Sequence, residues 1–129
     1  MKLDAIMFWV ADVPATVAFY ENAFGLTRQW VREEGDYAQM NTEGVTLTFA
    51  SELAAPATGV DIRANRADGP APGVQLALAT DDVDGSFHRA VEAGARLVAP
   101  PVTKPWGQVV AYVRDLDGIL VELSSPMED

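Results

Sequence analysis

The sequence predicts an α+β protein built from two strand–helix–strand–strand–strand (βαβββ) modules. Three observations predict it. An apolar strand leading into a helix start occurs twice, at Asp12-Val13 and Asp82-Val83, 70 residues apart. Val17 and Phe87, Tyr20 and Ala90, and Phe24 and Gly94 keep the same offset, as an internal repeat requires. Residues 51–73 between the copies are rich in Ala, Pro, Gly and Asp and lack strand alternation, so they read as a linking loop. The modules run from about 3–50 and 74–125 within one domain of 129 residues.

In the first copy, residues 3–11 form a strand. Ile6, Phe8 and Val10 alternate with Ala5, Met7, Trp9 and Ala11, and both rows are mostly apolar, so both sheet faces are at least partly covered. Asp12 can cap the following helix, and Pro14 falls in the first turn, where its missing N–H costs nothing. Val13, Val17, Tyr20 and Phe24 follow at helical spacing, and Gly25 supplies the stop. Strands are expected at 26–32, 37–41 and 45–50, with turns at Gly35-Asp36 and Glu43-Gly44. In the second copy 74–80 is a strand, and Asp82-Val83 opens a helix with Val83, Phe87, Ala90 and Val91 on its apolar stripe. Leu97-Val98 reads as a short strand, and 106–113 and 119–124 as longer ones.

Nineteen acidic residues against nine basic ones give a formal charge of −10. Such a surface repels phosphate backbones and attracts cations, so nucleic acid is not an expected partner. The absence of cysteine removes disulfides, thiolate metal sites and cysteine nucleophiles together, and fits a cytoplasmic location. No 18-residue apolar run exists to span a membrane, and the N-terminus lacks the basic region and small-residue cleavage site of a signal peptide.

The chain resembles the vicinal oxygen chelate superfamily, which contains glyoxalase I, bleomycin-resistance proteins and extradiol dioxygenases. The resemblance rests on the strand entering Val10-Ala11-Asp12-Val13 and on a helix holding Phe19-Tyr20 and Phe24-Gly25. Pro105-Trp106-Gly107-Gln108 and Val113-Arg114-Asp115-Leu116-Asp117-Gly118-Ile119-Leu120-Val121-Glu122-Leu123 complete it, in family order. It implies a glyoxalase/bleomycin-resistance-like fold, with two modules forming a cupped mixed sheet around a cavity, usually in a homodimer. In metal-dependent relatives four strand positions supply His/Gln, Glu, His and Glu ligands. By the resemblance these fall on Ala5, Thr48, Gln75 and Glu122. Ala5 cannot ligate, Thr48 and Gln75 are weak neutral ligands, and the one histidine, His88, lies in the second helix. No metal or other cofactor is therefore expected.

Glu122 shares a strand face with Leu120 and Ser124, leaving Val121 and Leu123 for the helix side. A carboxylate in so apolar a strand is costly unless it is bonded, and Gln75, a water or a backbone N–H could satisfy it. Toward the cavity it would accept hydrogen bonds from a ligand or act as a base. Flat rings and soft thioethers suit planar ligands, which adds Trp9, Trp30, Met40, Trp106 and Tyr112 to Thr48, Gln75 and Glu122 as the expected ligand-binding set. Lys104 and Arg114 read as solvated charges, and Asp115 and Asp117 as turn-forming groups around Gly118.

The expected function is metal-independent binding of a small molecule, such as a planar or cationic toxic compound or antibiotic held by stoichiometric capture. The alternatives are a cofactor-free isomerase, lyase or hydrolase with Glu122 as catalytic acid/base, and a divalent-metal enzyme with an atypical ligand set.

Overall fold

Both copies of the repeat fold into the same unit, a four-stranded mixed open sheet with a helix on one face. The computed structural model describes residues 1–127. The first copy contains β1 (Ala5–Val10), α1 (Val13–Phe24), β2 (Thr27–Val31), β3 (Tyr37–Asn41) and β4 (Thr46–Ser51). The second contains β5 (Gln75–Ala79), α2 (Val83–Glu92), β6 (Arg96–Thr103), β7 (Val109–Arg114) and β8 (Leu120–Ser124). The strand orders β1-β4-β3-β2 and β5-β8-β7-β6 are the same arrangement. In each, the first strand runs parallel to the last and the remaining pairs are antiparallel.

The two helices start by the same device. The Asp12 carboxylate accepts from the Ala15 N–H at 3.1 Å, and that of Asp82 from the Gly85 N–H at 2.9 Å. Each satisfies one of the four amides that the first turn leaves without a helical partner. Gly25 ends α1 in the left-handed conformation, with φ 71°.

Packing assigns the faces. Tyr20 of α1 lies on Phe49 of β4 with ring centroids 4.9 Å apart. Phe49 is opposite Phe8 on one side and Ala38 on the other, so these and their alternates Val10, Leu47 and Met40 form the helix-covered layer. The opposite face carries Ala5, Met7 and Trp9 of β1, Thr46 and Thr48 of β4, Tyr37 and Gln39 of β3, and Trp30 of β2. In the second module α2 packs on β6, β7 and β8, with Phe87 and Ala90 buried. Ala111, Val113, Val121 and Leu123 are fully enclosed, and the alternate positions Tyr112, Leu120 and Glu122 are half-buried.

Two strand boundaries differ from expectation. β6 is not a two-residue strand but runs across Pro100 and Pro101 to Thr103. It is the edge of its sheet, with register shifts between Leu97 and Ala99 and between Ala99 and Val102. An edge strand with bulges tolerates prolines that donate no ladder bond. β7 begins at Val109, so Trp106 is not in a strand. It sits in the connecting turn, closed by Gly107 N–H donating to Lys104 O and Lys104 N–H to Gln108 O, each 2.8 Å.

The link between modules contains short 3₁₀ turns at Glu52–Ala54 and Pro56–Thr58. Its beginning is tied to the first module, where the Asn65 amide donates to the Trp9 carbonyl at 3.0 Å. Its end is tied to the second. The Arg114 guanidinium donates to the carbonyls of Gly118 at 2.9 Å, Gly69 at 2.6 Å and Arg66 at 3.3 Å. Gly118 has φ 90°, and a Cβ there would strike the Arg66 carbonyl and the Arg114 guanidinium. Both the turn and the close approach of the link therefore depend on glycine at this position.

Candidate functional site

The β7–β8 hairpin turns tightly. Asp115 is buried, and its Oδ1 accepts from the N–H groups of Asp117 at 2.9 Å and Ile119 at 2.8 Å. This locks the register so that Tyr112 stands directly opposite Glu122. On the other side of β8, Ala77 is opposite Glu122, which places Gln75 diagonally across the same face. A diagonal offset of roughly 7–8 Å is within reach of long side chains.

The three groups meet. The Tyr112 hydroxyl donates to Glu122 Oε1 at 2.9 Å. It also engages the Gln75 side chain. The Glu122 bond, burial and the carboxylate charge all hold the Tyr112 phenol above its ordinary pKa, the bond most of all. The Gln75 amide acts in the opposite direction by donating to the phenol oxygen, which favours the ionised form. Within the protein, Glu122 is thus partnered by a phenol. Tyr112 is the carboxylate's partner rather than only an aromatic wall. The position was legible in principle, because a turn centred on Asp117 pairs residues equidistant from it.

The other expected binding residues fall in several places. Trp9 and Trp30 share the helix-free face of the first sheet, where Trp30 is 38% exposed and lies 5.4 Å from Tyr37 between ring centroids. Thr48 is on the same face but only 3% exposed, and its hydroxyl reaches the Ile6 carbonyl at a weak 3.5 Å. Met40 does not line that face. It is 1% exposed in the layer beneath α1, because β3 alternation puts it beside Ala38 rather than Gln39. Trp106 does not join Tyr112 and Glu122 but borders a pocket at the β6–β7 turn. His88 is exposed and makes an edge contact with Phe87.

This repeated architecture, with a polar cluster on one sheet, is that of a glyoxalase-type fold. Residues 2–123 match the Glyoxalase/Bleomycin resistance protein/Dioxygenase superfamily, and the chain belongs to it. The YraH protein of Bacillus subtilis (strain 168) is 28% identical over 125 residues, 95% of this chain and 97% of YraH. The crystal structure of a glyoxalase-related enzyme from Fulvimarina pelagi superposes with a TM-score of 0.83 at 22% identity, covering 98% of this chain and 88% of that one. A glyoxalase/bleomycin resistance protein/dioxygenase from Nocardioides gives 0.74 at 25% identity, covering 99% and 85%.

The superfamily's metal-dependent members raise the question of an ion. The register makes Ala5 and Thr48 in one module equivalent to Gln75 and Glu122 in the other. Ala5 faces Thr46 and Gln75 faces Leu120, two residues before Thr48 and Glu122 respectively. Ala5 has no donor atom, the Thr48 hydroxyl is buried against a carbonyl, and the Gln75 amide and Glu122 are both engaged with Tyr112. Among the described residues no three His, Asp or Glu side chains converge. One carboxylate with neutral neighbours does not fit a divalent cation.

Proposed function

We propose that this protein is a metal-independent small-molecule-binding member of its superfamily that captures a planar or cationic compound, a toxic compound or antibiotic among them. The observation that supports it most is the Tyr112–Glu122 hydrogen bond of 2.9 Å. The single carboxylate among the four ligand positions is committed to a neutral phenol, which orients it without neutralising it. Its second oxygen remains an acceptor for the polar part of a ligand, with Gln75 beside it. Taken by itself, the first sheet carries Trp9, Trp30 and Tyr37 on one face as a stacking surface for flat compounds, with Thr48 a minor contributor. We further propose that it acts as a cytoplasmic homodimer.

Capture and catalysis separate by stoichiometry. Titration of planar cationic compounds against intrinsic tryptophan fluorescence is expected to saturate near one equivalent per site and to return the compound unchanged. Glu122→Gln is expected to weaken the binding of cations more than that of neutral analogues. Repeated turnover of any compound, abolished in Glu122→Gln, would replace the binding reading with that of a cofactor-free enzyme using Glu122 as acid or base.

A further inference from the structure

The second module carries a pocket of about 540 Å³ at the β6–β7 turn, where β8 ends. Its volume is within the range of small-molecule sites. Tyr112, Glu122 and Gln75 do not line it. Gln108 at its wall precedes Tyr112 by four residues along the chain, about 13 Å at strand rise.

Trp106 is 63% exposed yet fixed in place. Its indole N–H donates to Gln108 Oε1 at 2.9 Å, and the Gln108 amide donates to the Ser125 carbonyl at 2.8 Å. The Ser125 hydroxyl oxygen in turn accepts from the Val109 N–H at 2.9 Å. An indole whose polar edge is consumed internally presents only its ring to the pocket. Met127 and Pro126 add apolar surface, and the Asp81 carboxylate, exposed and without a partner among the described residues, adds a negative charge. Among the described residues no lysine or arginine lines the pocket.

We propose that this pocket is a second binding site, for an organic ammonium ion carried on an apolar body. A ring face, a thioether and an unpaired carboxylate attract a weakly hydrated cation and leave an anion unpaired. The net charge of −10 favours the same sign of ligand. The site is independent of the Tyr112–Glu122 pair and of the function proposed for it.

The test is titration of ¹⁵N-labelled protein with N-methylquinolinium, and with neutral quinoline at pH 8. The readouts are the Trp106 indole and Gln108 side-chain amide resonances. The cation is expected to shift both saturably, with quinoline at least threefold weaker. Asp81→Asn is expected to raise the dissociation constant about fivefold, and Trp106→Leu, read at Gln108, by a similar factor. Glu122→Gln is expected to leave the constant unchanged. Shifts that do not saturate, equal binding of quinoline, or an Asp81→Asn protein that binds as well as the wild type would overturn the proposal. So would a rise in Glu122→Gln, which would place the cation on the Tyr112–Glu122 pair.

Discussion

Breaking the Tyr112–Glu122 contact tests whether it is a working electrostatic pair. Tyr112→Phe removes only the hydroxyl, and Glu122→Ala removes the acceptor. A bond to an ionised acceptor contributes about 1.5–3 kcal/mol when enclosed, and exposed charged pairs contribute about 0.2–1 kcal/mol. Both side chains are half-buried and the bond is 2.9 Å, so about 1 kcal/mol of coupling is expected at pH 7. That is about fivefold in the folded-to-unfolded ratio, or about 4 °C in Tm for Tyr112→Phe. Urea denaturation of the wild type, both single variants and the double variant measures the coupling directly. Its pH dependence follows from the raised Tyr112 pKa. The folded chain holds this proton more tightly than the unfolded chain. The contribution is therefore complete below the ordinary phenol pKa of about 10 and disappears as pH rises through the higher folded value. A coupling below about 0.3 kcal/mol at pH 7, within the error of additivity, would show that the two groups are no working pair. A coupling that declined between pH 7 and 9 would be incompatible with the raised Tyr112 pKa.

Other expectations concern the scaffold around this pair. Asp115→Ala strands the buried N–H groups of Asp117 and Ile119 and should cost about 2–4 kcal/mol in urea denaturation. Gly118→Ala forces an alanine to φ 90° and pushes on the Arg66 carbonyl; a loss of about 2–3 kcal/mol is expected, with weaker ligand binding because the hairpin register moves. Arg114→Met should speed amide hydrogen exchange across 66–69 while leaving β7 and β8 protected, since the guanidinium is what those carbonyls hold. Mn²⁺, Ni²⁺ or Zn²⁺ should leave Tm unchanged. A resident site at a hundredfold excess over its dissociation constant would add about 2.7 kcal/mol, which thermal denaturation detects readily.

The helix starts were legible because they are local. Asp12 and Asp82 each cap an amide three residues away, and no distant contact is needed to see it. The glycine after α1 and the Asp115–Gly118 turn were legible for the same reason. Face assignments from alternation held for Glu122, Val121 and Leu123 in a regular strand. Met40 was placed on a ligand wall by its chemistry alone, whereas alternation sets it beside Ala38 in the buried layer. Trp106 was misplaced because its turn resembled the start of a strand. β6 was cut short because prolines normally end strands, and only its edge position lets it continue.

Residue type and short spacing were enough to establish the repeated βαβββ order, the acidic character of the chain, the single histidine and the lack of cysteine. Which groups stand beside which is a property of the folded sheets. Tyr112 and Glu122 are ten residues apart in the chain and 2.9 Å apart in space, brought together by a hairpin register that Asp115 enforces. Gln75 arrives from a strand of the same sheet 47 residues before Glu122. Hydrogen-bond partnership across a sheet is set by register and face, and these emerge only once the strands are paired.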